Sequence, residues 1–336
     1  VTIRWPGAVV VVTGATGGIG AALVRRLVTL GASVGAIARH DDGLRALEAA
    51  VGAPADGRGG VLGVAADVGD RGALGAAIGT VQDALGPVDV LVNNAGIGHY
   101  GSLLDHHLDS GWAEQILQVN TLGTLYATAA VLGAMARRRH GHIVNVASIA
   151  GRIGAPMEAV YSASKFAVVG FSEALAVEME PFGVRVTVVD PGPVDTGFFV
   201  ARGVPYRRRR PRPVRPERVA AAVVAAVERD RAHVVVPAAL RLAVTARHLA
   251  PGFTRWATGR VFRTELGELA ATLASPPDRE RPPDRERPPD RERPPDRERP
   301  PDRERPSDAP GPGQVAGFGQ EPSDRHDGVA EVRHTE

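Results

Sequence analysis

The stretch Val9-Val10-Val11-Val12-Thr13-Gly14-Ala15-Thr16-Gly17-Gly18-Ile19-Gly20 decides the architecture of this 336-residue chain. Four consecutive valines read as a strand covered on both faces. The glycines that follow open a helix. Gly14 permits a tight turn, Gly18 leaves room for phosphates against the backbone, and Gly20 lets the helix press on the sheet. The start of that helix offers free N–H groups and a partial positive charge to a pyrophosphate. In a chain with 40 glycines such a run alone is weak. Its place between a strand and a helix gives it weight.

Beyond this stretch, short apolar runs alternate with longer amphipathic ones. Val9–Val12, Ser33–Ala38, Val61–Ala65, Val88–Val92, Ile143–Ala147 and Val184–Val189 read as strands. Helices are expected near 18–30, 42–51, 70–84, 110–138 and 158–181. A helix at about 216–230 and a strand at Val234–Val236 complete seven strands. Strict β-α-β alternation predicts an α/β fold, a Rossmann-like, doubly wound parallel seven-stranded sheet with helices on both faces. Three segments follow: 1–237 as a dinucleotide-binding catalytic domain, 238–275 as a helical C-terminal extension, and 276–336 as a disordered tail. In the tail Pro-Pro-Asp-Arg-Glu-Arg repeats five times, from Pro276 to Arg305. Its proline pairs forbid helix and it has nothing apolar to bury. A solvated extension is expected, with a docking tail as the alternative.

Hydrophobic residues make up 43% and aromatics only 4%, as suits small-residue packing of helices on a sheet. Cysteine is absent, which excludes disulfides and thiol ligands. The histidines lack metal-ligand spacing, so no metal is expected. No apolar run approaches the ~20 residues of a membrane span, and Val1–Ala8 lacks a signal-peptide layout. A cytoplasmic protein is the expectation. Residues 1–275 hold 28 basic and 22 acidic groups. That mild excess suits an anionic cofactor and does not call for nucleic acid.

Of the 40 basic residues 39 are arginine; the one lysine is Lys165, in Tyr161-Ser162-Ala163-Ser164-Lys165. Residues at i and i+4 share a helix face. A compact ammonium there can acidify a phenol and reach a sugar diol, tasks a planar guanidinium fits poorly. Lowering a phenol by about three pKa units takes roughly 4 kcal/mol. A unit charge ~4 Å away supplies about that at an effective dielectric of 20. Ser148 ends the fifth strand, and Tyr161 begins the next helix, so both hydroxyls can converge on one oxygen. At the end of the second strand Arg39 stands where a carboxylate would hold a ribose hydroxyl, and a guanidinium suits a 2′-phosphate. The alternative is that Asp41 or Asp42 reaches the ribose. Asp67, ending the third strand, either accepts from an adenine amine or caps the strand.

Thr13-Gly14-x-x-x-Gly18-x-Gly20, Asn93-Asn94-Ala95-Gly96, Asn120, Ser148, Tyr161-x-x-x-Lys165 and Pro191-Gly192, in this order, resemble the short-chain dehydrogenase/reductase family over about residues 5–237. The resemblance implies an oxidoreductase interconverting a secondary alcohol and a ketone or aldehyde. Tyr161 would be the acid/base, Ser148 would polarise the oxygen, and Lys165 would tune Tyr161 and bind the nicotinamide ribose. Asn120 would anchor a water of a proton relay. Thr13, Gly14, Thr16, Gly18, Ile19, Gly20, Arg39, Asp67, Val68, Asn94, Ala95, Gly96, Tyr161, Lys165, Pro191, Gly192, Val194 and Thr196 would line the cofactor, NADP rather than NAD. Asn94 and Gly96 would line the adenine-ribose wall and steady the sheet. Val194 and Thr196 would meet the carboxamide.

A mobile lid is implied after Pro191-Gly192, and a homodimer or homotetramer built on the two long helices. A non-catalytic NADP-binding sensor or scaffold is the alternative reading. The seven arginines and one glutamate of Arg207–Arg218 read as a solvated loop or as a clamp for an anionic substrate arm. His99 and Tyr100 either line the pocket or form a surface turn. The 238–262 stretch, apolar with four arginines, could lie on an anionic membrane, across a subunit interface or over the pocket mouth. Its break at Pro251-Gly252 weakens the membrane reading.

Overall fold

The computed structural model describes residues 3–52, 59–104, 110–206 and 211–274. The repeat tail and Arg207–Arg210 of the arginine-rich loop lie outside them. Seven strands form one sheet: β1 (Val9–Thr13), β2 (Ser33–Ala38), β3 (Gly60–Ala65), β4 (Val90–Asn93), β5 (Gly141–Val146), β6 (Val184–Pro191) and β7 (His233–Val236). Their order is β3-β2-β1-β4-β5-β6-β7 and every pairing is parallel. The strand order reverses between β1 and β4, at the crevice where open α/β sheets bind ligands.

The valines of β1 show why the sheet is buried on both sides. Val10 and Val12 join one core with Leu23 and Leu27 of α1 (Gly18–Thr29), Leu44 of α2 (Asp41–Val51) and Val219 and Val223 of α8 (Pro216–Glu228). Val9 and Val11 join the opposite core with Leu74 and Ile78 of α3 (Arg71–Leu85), Val131 and Met135 of α5 (Gly123–Arg138) and Leu175 of α6 (Ala159–Met179). Each such buried aliphatic contributes about 1.5–3 kcal/mol. Helix α3 starts where Asp70 accepts from Gly72 N and Ala73 N at 2.8 and 3.0 Å.

Two differences from expectation bear on function. The helix expected over 110–138 is not uniform: α4 (Trp112–Leu117) passes through a π turn, Gln118–Leu122, before α5 begins. Asn120 sits in that turn. Second, the segments Trp112–Arg138 and Ala159–Phe182 are long and apolar enough to cross a membrane by length and composition. Both instead pack on the sheet and carry site residues, which is why they are apolar along most of their circumference.

After β7 come α9 (Arg241–Leu249), α10 (Pro251–Val261) and α11 (Arg263–Ala274). The break between α9 and α10 falls at Ala250, directly before Pro251-Gly252. Between β6 and α8 lies α7 (Phe198–Ala201).

Candidate active site

At the β1–α1 turn Gly14 takes φ +63°, and a Cβ there would lie 2.8 Å from Ala95 Cα. Both facts demand glycine. A Cβ on Gly20 would stand 2.2 Å from the Gly14 carbonyl oxygen, so the helix-on-sheet role of Gly20 is met on the turn itself. Gly17 caps α1 without a side chain, and the first turn has no acid. The N–H groups of Gly18, Ile19 and Gly20 thus open the helix at an exposed loop, where Thr16, Gly17 and Gly18 face solvent. That cradle suits a pyrophosphate. A Cβ on Gly18 would lie 2.2 Å from the Thr196 methyl, so the segment after Pro191-Gly192 reaches this cradle.

Thr13 and Asn94 hold the turn. Asn94 Nδ2 donates to the carbonyls of Thr13 and Gly14, each at 3.1 Å. The backbone N–H groups of Asn94 and Ala95 donate to Thr13 Oγ1 at 3.1 and 3.2 Å. The Thr13 side chain is buried, so its hydroxyl braces β1 against β4. Arg39 is exposed at the end of β2, while Asp41 and Asp42 are both engaged by Arg45. A Cβ on Gly43 would touch Thr16 Cγ2 at 3.0 Å, which sets the start of α2 over the glycine loop. Asp67 is exposed and accepts from Gly69 N at 2.8 Å, a turn-capping role that leaves its other oxygen to solvent. Val68 is buried beneath Gly123.

The π turn aims Asn120 into the molecule. Its Oδ1 accepts from Ile97 N at 2.8 Å; its Nδ2 donates to Ile97 O at 2.9 Å and Ser164 Oγ at 3.0 Å. Asn120 therefore ties the chain after Gly96 to α6. A Cβ on Gly96 would lie 3.4 Å from both Asn120 Oδ1 and Lys165 Nζ, so a side chain would crowd the ammonium. Lys165 is 4% exposed and donates to Val146 O at 3.0 Å, at the end of β5. Burial brings its pKa down to about 8, with Asp190 pulling it back up.

Ser148 follows β5. Its Oγ accepts from Ala150 N at 3.1 Å and caps a short 3-10 turn, Ile149–Gly151. A Cβ on Gly151 would strike Lys165 O at 2.7 Å, so this turn presses on α6 and brings Ser148 to Tyr161. Tyr161 is 9% exposed. Burial raises its phenol above the ordinary value; the neighbouring Ser148 hydroxyl pulls it down, Glu158 raises it and Arg202 lowers it. Lys165 is not directed at the phenol in this structure. The ammonium lies 5.9 Å from the ring centroid and points to Val146, while the Phe198 ring covers Tyr161 at 5.6 Å. Burial is the largest influence on the phenol, ahead of the Ser148 hydroxyl.

The segment after Pro191-Gly192 is tied at its root. Val194 pairs with Val214, Asp195 N donates to Val214 O and Val214 N to Pro193 O, each at 2.9 Å. Pro191 ends β6 and Gly192 N donates to Val236 O at 2.7 Å. Tyr100 and His99 are half-buried: Tyr100 stacks on Arg202 at 4.7 Å, and His99 on Trp112 at 4.6 Å. Arg212, Arg215 and Arg218 are exposed, in keeping with a solvated loop.

Sequence reasoning missed Arg202. It is 7% exposed, pairs with Glu158, and lies against Tyr100 and Phe199, each ring centroid 4.7 Å from the guanidinium. It thus fastens α7 to the first turn of α6, three residues before Tyr161. No signal distinguishes it among 39 arginines. Asp190 was also missed. It is fully buried at the end of β6 and accepts from Arg152 Nε at 2.8 Å, with His233 Nε2 at 2.5 Å. Among the described residues no cluster of metal ligands occurs.

A Gly-lined crevice at the switch point of a parallel sheet, with a hydroxyl pair and an ammonium at its carboxyl edge, defines a dinucleotide-binding α/β oxidoreductase framework. The model of the short chain dehydrogenase family matches residues 8–203, and this chain belongs to that family. It is 35% identical over 256 residues to the bovine dehydrogenase/reductase SDR family member 7B, covering 73% of this chain and 78% of that one. It is 43% identical over 172 residues to inactive 2-(S)-hydroxypropyl-CoM dehydrogenase 2 of Xanthobacter autotrophicus, covering 51% and 71%. A short-chain dehydrogenase/reductase of Burkholderia phymatum, solved with NAD, superposes with a TM-score of 0.65 at 26% identity, over 74% of this chain and 95% of that one. A metagenomic short-chain oxidoreductase solved with NADP gives 0.57 at 33%, over 68% and 96%.

Proposed function

We propose that this chain is an NADP-preferring oxidoreductase that interconverts a secondary alcohol and a ketone or aldehyde, with Tyr161 as general acid/base. The observation that carries the reading is the burial of Tyr161 and Lys165 on one face of α6, beside Ser148, in a site whose other wall is Gly96 and Asn120. The bound nicotinamide would supply or accept the hydride. The amides of Gly18, Ile19 and Gly20 would hold the pyrophosphate, and Arg39 a 2′-phosphate, since Arg45 already occupies Asp41 and Asp42. Lys165 would reach the ribose hydroxyls from its seat on Val146 O.

A protonated phenol is an acid. It donates to a carbonyl oxygen, and Ser148 holds that oxygen in line. In the reverse direction the same group would take the proton back from an alcohol. Along α6 the exposed residues Ala163, Phe166, Ala167, Gly170, Ala174 and Val177 form an apolar, small-residue stripe. This supports pairing of two copies through that helix.

Tyr161→Phe should lower kcat by on the order of 10²–10⁴ with NADPH affinity nearly unchanged. Unaltered turnover would remove Tyr161 from the chemistry and favour a non-catalytic, NADP-binding sensor, a reading kept in view by the inactive relative. Arg39→Asp should shift the NADPH/NADH ratio of kcat/KM by roughly 10–100-fold, the worth of one charge-assisted contact. An unchanged ratio would remove Arg39 from the cofactor site.

A further inference from the structure

Helices α9 and α10 are turned inside out. Val244 and Thr254 alone among their residues are buried. Their large apolar side chains face solvent: Leu242 is 77% exposed, Leu249 80%, Phe253 60% and Trp256 58%. Leu242 and Leu249 stand two turns apart on one face of α9. Phe253 and Trp256 are neighbours on α10, with ring centroids 5.7 Å apart. The break at Ala250 therefore does not bury these residues; it presents two short helices, each with apolar groups outward.

The charge on this pair is of one sign. Residues 241–261 contain Arg241, Arg247, Arg255 and Arg260 and no aspartate or glutamate. The Arg260 guanidinium lies 5.4 Å from the Trp256 ring centroid, so cation and aromatic occupy one patch. A guanidinium on a long apolar stem beside an indole can keep its charge at a polar boundary while the ring enters an apolar phase.

We propose that α9–α10 is a docking surface for an anionic lipid bilayer, with Leu242, Leu249, Phe253 and Trp256 entering the acyl boundary and the arginines pairing with headgroups. A second copy of the chain is the poorer occupant. A two-fold contact sets the same patch against itself, and four arginines without an acid would repel their own copies. An anionic bilayer meets both the charge and the apolar area. Each arginine near such a surface adds about 1 kcal/mol of attraction, which salt screens. The same helices wall a groove of about 860 Å³ through Arg247, Thr254 and Arg255, whose far side is Ile153–Pro156 and Ala159. Docking would bring that groove, which abuts the first turn of α6, to the lipid surface.

The test is co-sedimentation of the full chain with phosphatidylcholine vesicles prepared with and without phosphatidylserine. Binding should appear with phosphatidylserine, weaken at high salt, and fall roughly tenfold or more in Phe253→Ser/Trp256→Ser. The variant's melting temperature and cofactor binding should match the parent, which separates lost docking from lost folding. Absence of binding, or binding indifferent to both phosphatidylserine and the double substitution, overturns the proposal. A concentration-dependent dimer abolished by the same substitutions would also overturn it, because a second copy would then own the face. So would salt-sensitive binding to duplex DNA that survives the loss of both rings.

Discussion

Helix α6 and the pair α9–α10 both break the ordinary inside–outside rule, in opposite directions. On α6 the polar side chains of Tyr161, Ser162, Ser164, Lys165 and Ser172 are buried. On α9–α10 large apolar side chains are exposed. The buried polar groups are answered from elsewhere in the fold. Lys165 meets Val146 O, Ser164 meets Asn120 Nδ2, and Ser172 Oγ accepts from Asn145 Nδ2 at 2.7 Å. Among the described residues, the exposed apolar groups meet no comparable set. One exception is an interior built for chemistry. The other is the apolar surface proposed above to meet a bilayer.

The largest effect should come from breaking the first exception. Asn120→Ala would strand Ile97 N–H, Ile97 C=O and one bond to Ser164, and each buried polar group left unpaired costs about 1–3 kcal/mol. With the Ile97 groups half-buried and the Ser164 bond buried, chemical denaturation should show a loss of about 1–3 kcal/mol. A variant as stable as the parent would mean that water or the π turn's own backbone substitutes for the amide.

A buried polar group in the sheet gives a pH test of nearly the same size. His142, on β5, lies 2.7 Å from Thr187 Oγ1, and burial lowers its pKa to about 4. The folded chain keeps it neutral while the unfolded chain protonates below about 6.5. Its contribution is thus present above that pH and is lost as the pH falls toward 4, up to about 3 kcal/mol. Urea midpoints of the parent and His142→Asn should diverge across this window, the parent falling more steeply; parallel curves would show that His142 does not carry the effect.

The smallest effect sharpens the contrast. Phe253→Ser and Trp256→Ser should each change stability by no more than about 0.5 kcal/mol, as surface substitutions do. A drop of several degrees in melting temperature would mean that these rings are packed within the chain.

Much of the frame was legible because it rests on short-range pattern. Strands covered on both faces appear as runs such as Val9–Val12, and Gly14 and Gly20 announce a turn that tolerates no Cβ. The fourth strand was read as Val88–Val92 and runs Val90–Asn93, where Asp89 at its entrance accepts from Val9 N at 3.0 Å. Long-range placement was not legible. Arg202 matters because the segment after Pro191-Gly192 folds back onto Glu158. The ring contact of Phe198 with Tyr161 was hidden for the same reason: the i, i+4 spacing to Lys165 is local, but Phe198 arrives from another element. The outward apolar face of α9–α10 could be suspected from composition, yet only burial separates a packed helix from a presented one.

The pairing of Val194 with Val214 closes the base of a cassette whose described residues also meet Gly18 through Thr196 and Glu158 through Arg202. Lengthening or exchanging that cassette would reshape the chamber above Tyr161 without touching a strand. Grafting segments from other members between these two valines is accordingly a direct route to new substrate preferences on an unaltered scaffold.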